Sequence, residues 1–85
     1  DMNFSKALHL IREKQKLTRT GWNGKGQYIF FLDPFELTYE SLQLPNNKIY
    51  FQPFLAIKTA QNTYVPWIVS QTDLLADDWE VFKNE

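Results

Sequence analysis

The stretch LTRTGWNGKGQYIFFL, residues 17–32, decides the fold because it places two strand-like segments on either side of a glycine-rich loop. Residues 17–20 are short and partly β-branched, whereas residues 27–32 form an aromatic and aliphatic run that ends before Asp33 and Pro34. Between them lie all three glycines of the chain: Gly21, Gly24 and Gly26. The stretch therefore predicts two strands joined through this loop.

Composition predicts one small globular domain over residues 1–85. Apolar residues make up 44% of the chain and aromatic residues 16%, and no apolar run approaches the roughly 18 residues that cross a bilayer. A domain of this length buries about 60% of its unfolded surface, so we expect some aromatics in a subunit interface or a ligand pocket. Because the chain has no cysteine and no leader-like start, we expect a cytoplasmic protein without a membrane partner.

Charge is distributed unevenly along the chain. Residues 1–25 carry six basic and two acidic side chains, whereas residues 26–85 carry three basic and eight acidic ones. A protein that binds a nucleic acid polymer presents a broad basic face, and this balance argues against such a partner. It is compatible with a small anion held by one or two cations.

The rest of the pattern predicts an α+β fold with an antiparallel sheet. Asn3 can cap a first helix over residues 4–15. A hairpin follows the long connection at residues 33–48, with strands over residues 49–59 and 63–69. Pro53 would place the first of these strands at an edge or a bulge.

The end of the chain predicts a short helix before a last strand. Ser70 or Thr72 can cap a helix through residues 73–76, and residues 78–82 alternate as a strand does. The expected fold is thus an N-terminal helix packed on an antiparallel sheet, with a short C-terminal helix before the final strand.

The residue types of the chain argue against a catalytic site and against a metal site. The single histidine, His9, stands one helical turn before Glu13, which predicts an exposed i,i+4 pair rather than a general base. Zinc sets cannot form without cysteine and with one histidine, and the acidic residues lack the spacing of a calcium loop. We expect no catalytic residue, no metal and no cofactor.

The glycine loop completes neither of the named phosphate-binding motifs. Gly26 follows Lys25 where a P-loop needs Ser or Thr, and Ile29 stands where a dinucleotide-binding turn needs its third glycine. Backbone N–H groups in such a turn can still form an anion-binding nest, with charge from Lys25 or Arg19. A plain tight hairpin explains the spacing at least as well.

Four blocks of the chain carry a family resemblance: MNFSKAL, TRTGWNGKGQYI, IKTAQNTYVPW and SQTDLLADDWE. In this order they are similar to the second type of Thoeris anti-defence protein, small phage proteins that block the bacterial Thoeris defence. The resemblance covers nearly the whole chain except residues 33–48.

This resemblance implies a sponge rather than an enzyme. Such proteins form homo-tetramers and hold the cyclic ADP-ribose isomers that Thoeris uses as alarm signals, of the glycocyclic ADP-ribose type, in pockets shared between subunits. Some members also hold cyclic oligonucleotides at separate sites. The implied partners are therefore a small cyclic nucleotide and further copies of the chain, in the cytoplasm of the infected bacterium.

The implied ligand presents a purine face, two phosphates and ribose hydroxyls. We expect Trp22 to stack on the adenine, worth about 1–3 kcal/mol, and N–H groups near Gly24 and Gly26 to approach the pyrophosphate. Asn23 can reach a hydroxyl or a base edge, and Asp73 suits ribose hydroxyls. The remaining candidates supply cations, polar groups and a second ring: Arg19, Lys25, Ser70, Gln71, Thr72 and Trp67.

Several alternatives remain open from the residues alone. The chain can be a nucleotide hydrolase that uses Asp73 and Asp77, or a scaffold whose surplus aromatics bind another protein. Trp67 and Trp79 lie in strand-like segments and are more typical of core or interface positions. Arg19 can equally form an ion pair with an acidic side chain from the second half of the chain.

Overall fold

The computed structural model describes residues 1–33 and 52–83. Its elements follow in the order α1 Phe4–Arg12, β1 Leu17–Arg19, β2 Tyr28–Leu32, β3 Phe54–Lys58, β4 Tyr64–Pro66, α2 Gln71–Leu74 and β5 Trp79–Val81. The predicted α+β class is confirmed, with a helix, an antiparallel sheet, and a short helix before the last strand. Apart from Asp33, the connection predicted at residues 33–48 lies outside the described residues.

The five strands form one antiparallel sheet in the order β4-β3-β2-β1-β5. The two strands predicted from the opening stretch pair with each other, with Leu17 opposite Ile29. The last strand adds to the other side of β1, so that Arg19 lies opposite Trp79. This antiparallel pairing brings the start of β5 beside the start of the glycine loop.

Helix α1 begins as predicted but ends earlier. The Asn3 side chain accepts a hydrogen bond from the backbone N–H of Lys6 at 3.0 Å, which caps the first turn. The helix stops at Arg12 rather than at residue 15, because Lys14 adopts a left-handed backbone with φ of 74°. His9 and Glu13 form the expected exposed pair at 3.4 Å.

The predicted hairpin is confirmed, because β3 and β4 pair with each other. The prediction that its first strand lies at an edge or a bulge is wrong. β3 lies inside the sheet between β2 and β4, and Pro53 precedes its first residue. Pro66 lies instead in β4, which is an edge strand. Proline is tolerated there because the outer side of an edge strand needs no N–H donor to the sheet. The predicted residues 49–51 lie outside the described part of the chain.

The short helix α2 is capped by Ser70, one of the two predicted caps. The Ser70 hydroxyl accepts a hydrogen bond from the backbone N–H of Asp73 at 3.1 Å. α2 then spans Gln71–Leu74, so it begins and ends two residues earlier than predicted. Asp73 therefore lies inside the helix rather than at its first position.

The core lies between α1 and the sheet. Its fully buried large side chains are Trp79, Ile11, Leu17 and Ile29. The Trp79 ring contacts Phe4 of α1 with ring centroids 5.3 Å apart, so the core position predicted for this tryptophan is confirmed. No helix in residues 1–33 or 52–83 combines the length and apolar character needed to cross a bilayer.

Replacing Gly26 by alanine is expected to lower the free energy of unfolding by about 1–2 kcal/mol, because its φ of 77° is left-handed. Space is not the cause, since the nearest atom to an added Cβ, Lys58 Nζ, would lie at an ordinary 3.4 Å. Urea denaturation measures the loss. Gly26→Asn is the matched control, because asparagine tolerates this conformation. An alanine variant as stable as the parent would contradict the prediction.

Candidate functional site

Arg19 lies at the centre of an ionic network beside the glycine loop. Its NH1 nitrogen donates to Asp73 Oδ1 at 2.8 Å, and its Nε donates to Asp78 Oδ1 at 2.6 Å. The Arg19 side chain is 14% exposed, and those of Asp73 and Asp78 are 15% and 26% exposed. The predicted pairing of Arg19 with an acidic side chain from the second half of the chain is therefore confirmed, with two partners.

The network changes the titration of all three groups. The hydrogen bond from Arg19 holds the pKa of Asp78 below its ordinary 3.8, and partial burial opposes this effect. At Asp73, burial favours the neutral form, but hydrogen bonds from Trp22 and Arg19 still hold the pKa below 3.8. The two carboxylates, Asp78 first, raise the pKa of Arg19. All three side chains are consequently charged at neutral pH.

Asp78 also fixes the first residues of the loop. Its Oδ2 accepts hydrogen bonds from the Gly21 backbone N–H at 2.9 Å and from the Thr20 hydroxyl at 3.2 Å. A Cβ added at Gly21 would lie 2.8 Å from the same oxygen and 3.2 Å from Arg19 NH2. Glycine is needed at this position because the loop backbone passes so close to the ion pair.

Trp22 lies half-buried with its ring held at two places. The indole N–H donates to Asp73 Oδ1 at 3.0 Å. The ring packs edge to face with Trp79, with centroids 5.4 Å apart and an interplanar angle of 79°. Trp79 in turn donates its own indole N–H to the Asp73 backbone carbonyl at 3.0 Å. One side of the Trp22 ring is thus anchored to the core, while the side chain keeps partial exposure to solvent.

The far side of the loop is tied down through its carbonyl groups. Gly24 O accepts from Gln27 Nε2 at 3.2 Å, and Gly26 O accepts from Lys58 Nζ at 2.9 Å. Within the described part of the chain, the backbone N–H groups of residues 23–25 donate no hydrogen bond. The loop is therefore held to the protein through its carbonyl groups, while the described residues supply no acceptor to these three N–H groups.

The structure joins some of the predicted site residues and leaves others apart. Arg19, Trp22 and Asp73 are in direct contact, and Ser70 contacts Asp73 as the helix cap. The other polar candidates are exposed and form no hydrogen bond or ion pair through their side chains among the described residues: Asn23, Lys25, Gln71 and Thr72. Their placement is compatible with ligand contact, but the protein itself does not orient these side chains.

Trp67 packs on Trp79 without a ring contact to Trp22 among the described residues. The Trp67 and Trp79 rings meet edge to face with centroids 6.1 Å apart. Trp67 lines an open apolar hollow of about 460 Å³ together with residues of α1, β3 and β4, including Phe4, Leu8, Leu55 and Pro66. Among the described residues, those that line this hollow include no cation to hold a phosphate, and they suit apolar side chains.

Sequence reasoning missed three contributors to the site. Asp78 and Thr20 hold the start of the loop, and Lys58 holds its end. The alternating run at residues 78–82 predicted a strand but not its neighbour in the sheet. Pairing of β5 with β1 brings Asp78 next to Thr20, and the Thr20 N–H donates to the Asp78 carbonyl at 3.3 Å. No grouping of His, Cys, Asp or Glu suited to a metal ion occurs in residues 1–33 and 52–83.

Acid is expected to destabilise the protein through this network. Because the folded pKa values of Asp73 and Asp78 lie below the ordinary 3.8, their stabilising effect is complete above about pH 5 and is lost as the pH falls through the folded values. Asp78→Asn should lower the free energy of unfolding at pH 7 by about 1.5–3 kcal/mol. It should also flatten the decline between pH 5 and pH 2.

Urea denaturation across this pH range measures both effects. Asp77→Asn is the matched control, because Asp77 is exposed and lies outside the network. Profiles of the parent and Asp78→Asn that coincide at every pH would show that the ion pair contributes nothing to stability.

The chain is similar to known proteins over nearly its whole length. A family model described as the Thoeris anti-defense 2-like domain matches residues 2–82. The protein named Thoeris anti-defense 2 of Bacillus phage SP01 is 34% identical over 83 residues, which cover 94% of this chain and 93% of that protein. The span matched by the family model contains every helix and strand of the described residues and all the candidate site residues.

Proposed function

The chain belongs to the Thoeris anti-defense 2-like family, and we propose that it acts against Thoeris by sequestering cyclic ADP-ribose isomers of the glycocyclic ADP-ribose type. Membership in the family assigns an anti-Thoeris role. In our proposal one domain spanning residues 1–85 holds the signal without changing it, in the cytoplasm of the infected bacterium. Cyclic oligonucleotides are a further ligand class for the same protein.

The observation that carries the proposal is the juxtaposition of Trp22 with backbone N–H groups that bond to none of the described residues. The ring is anchored by Asp73 and Trp79, and the N–H groups of residues 23–25 follow it directly in the loop. A purine can stack on the ring while phosphate oxygens accept from the N–H groups. Asn23, Lys25 and the exposed side chains of Gln71 and Thr72 can add contacts to ribose and phosphate.

Ring stacking alone does not give enough affinity for sequestration. A nanomolar dissociation constant corresponds to about 12 kcal/mol, whereas one stacked base contributes about 1–3 kcal/mol. A cyclic ligand loses little conformational freedom on binding, which reduces the cost of association. The remainder has to come from enclosure, and in our proposal a second copy of the chain supplies the missing wall.

The geometry favours binding over hydrolysis at this site. Asp73 accepts hydrogen bonds from both Arg19 and Trp22 on one oxygen, and its pKa lies below the ordinary value. A general acid or base works best with a pKa near the operating pH, which a carboxylate held in this way does not have. Asp77, the other carboxylate of the hydrolase hypothesis, is exposed.

Self-association is supported by apolar side chains that the single chain leaves uncovered. Ile68 is 89% exposed and stands between Trp67 and Val69, which line the apolar hollow, and Leu75, at the end of α2, is 78% exposed. The outer edge of β4 is unpaired in the described part of the sheet, with Tyr64 and Val65 exposed beside it. Exposed apolar patches of this kind mark interaction surfaces, and we propose a homo-tetramer.

Ile68→Glu is expected to shift the protein from the tetramer toward smaller species, because a charge placed in an apolar interface is costly to desolvate. Sedimentation equilibrium measures the mass. Lys6→Glu, an exposed change on α1, is the control and should leave the assembly intact. A parent protein that sediments as a single chain would contradict the tetramer.

Binding of an unchanged ligand is the central test. The purified protein is mixed with glycocyclic ADP-ribose, cyclic ADP-ribose and a cyclic dinucleotide in turn, and the melting temperature is recorded, since tight binding to the native state raises it. The protein is then removed by heat and the released nucleotide is analysed by mass spectrometry. We expect a rise with the glycocyclic isomer and its recovery intact.

Two outcomes would contradict the proposal in different ways. Recovery of linear ADP-ribose from a small amount of protein would show turnover, and the hydrolase hypothesis would replace it. No change in melting temperature with any nucleotide would favour the scaffold hypothesis, in which the exposed aromatics bind another protein.

A further inference from the structure

The orientation of the Trp22 ring depends on few contacts. The backbone here is held, because the Gly21 N–H donates to Asp78 Oδ2 at 2.9 Å and the Trp22 N–H donates to the Arg19 carbonyl at 3.3 Å, so the direction of the ring is set by its side-chain contacts. Its polar tether is the hydrogen bond from the indole N–H to Asp73 Oδ1 at 3.0 Å, and its packing partner is the edge-to-face ring of Trp79. The Asp73 bond therefore selects one ring orientation among those that the loop permits.

The acceptor itself is held from three directions. Arg19 NH1 donates to the same Oδ1 at 2.8 Å. The backbone N–H of Asp73 donates to the Ser70 cap, and its backbone carbonyl accepts from Trp79 Nε1 at 3.0 Å. β1, α2 and β5 thus fix the position of this oxygen. A carboxylate held in this way can orient a neighbouring side chain that the loop leaves free.

We infer that Asp73 is a positioning residue, whose carboxylate holds the Trp22 ring in the orientation that stacks on the ligand. The inference rests on the proposed function. Since the indole N–H is used within the protein, the ring offers the ligand a face rather than a donor. Oδ1 is likewise used by Arg19 and Trp22, so a direct contact of Asp73 with the ligand would have to use Oδ2, whereas the inferred effect passes through Trp22.

A double-mutant cycle separates positioning from direct contact. The dissociation constant for glycocyclic ADP-ribose is measured for the parent, Asp73→Ala, Trp22→Phe and the double variant. Phenylalanine keeps a stacking ring but has no N–H to be positioned. We expect Asp73→Ala to weaken binding at least tenfold in the parent and less than threefold in the Trp22→Phe background. Equal losses in both backgrounds would show direct contact and overturn the inference.

Indole proton exchange tests the same role without any ligand. In ¹⁵N-labelled protein, we expect the Trp22 indole N–H to exchange at least tenfold faster in Asp73→Ala than in the parent. Asp73→Asn keeps an acceptor oxygen and should restore slow exchange. The Trp79 indole N–H bonds to the Asp73 backbone carbonyl, which both substitutions retain, so its unchanged exchange reports an intact fold in the same spectrum.

The two measurements distinguish failure of the inference from failure of the proposed function. Unchanged Trp22 exchange in Asp73→Ala, with Trp79 still protected, would overturn the inference whatever the ligand does. Faster Trp22 exchange in a protein that binds none of the nucleotides would refute the sponge and leave the positioning of the ring established.

Discussion

Trp79→Ala is expected to lower the free energy of unfolding by about 3–5 kcal/mol, the usual cost of removing a fully buried large aromatic side chain. The Trp79 ring is 0% exposed and packs against Phe4, Trp22 and Trp67. Domains typically have about 5–15 kcal/mol in total, so a small domain would lose much of its stability. The variant should also release the Trp22 ring, because Trp79 supplies its packing surface.

Urea denaturation and near-ultraviolet circular dichroism measure this loss. Lys6→Ala is the control, because Lys6 is exposed on α1 and lies outside the proposed interface, and surface changes usually stay within about 0.5 kcal/mol. If Trp79→Ala proved as stable as Lys6→Ala, the tryptophan would not be the centre of the core.

Trp22→Ala is expected to weaken binding of glycocyclic ADP-ribose by about 1–3 kcal/mol, or roughly 5- to 150-fold, because it removes the stacking surface. Its effect on folding should be smaller than that of Trp79→Ala, since Trp22 is half-buried and lies in a loop. Isothermal titration calorimetry measures the affinity, and thermal unfolding measures the stability of the same sample.

His9→Ala serves as the control for this binding experiment. His9 is a ring on the exposed side of α1 and pairs with Glu13, and its loss should leave affinity unchanged. Full affinity in Trp22→Ala would remove the basis of the proposed site. Equal losses in both variants would indicate an indirect effect on the assembly.

Local sequence signals predicted most elements but not their ends. Asn3 and Ser70 were recognised as helix caps because a cap acts within three residues of itself. The early end of α1 was missed because it depends on the left-handed backbone of Lys14, a conformation that lysine seldom adopts. Pro53 misled the placement of β3 because a proline just before a strand leaves every ladder N–H in place.

The candidate site was predicted in parts. Trp22 and the glycine loop were predicted as site residues from the local sequence, since an indole among glycines has no apolar neighbours in sequence. The ion pair of Arg19 was anticipated without its partners, and the roles of Asp78 and Lys58 were not. Contacts such as Arg19 with Asp78 join residues 59 positions apart, and no local pattern identifies such a partner.

By itself, the sequence determined the fold class, the glycine loop with its tryptophan, and the family resemblance, because caps, strand periodicity and glycine act over a few neighbouring residues. Tertiary structure alone decided that Asp73 meets both Arg19 and Trp22, and that Trp79 lies beneath that contact. Pairing of β5 with β1 brings these distant segments together. The orientation of the candidate binding ring thus depends on strand order, which short-range propensities do not specify.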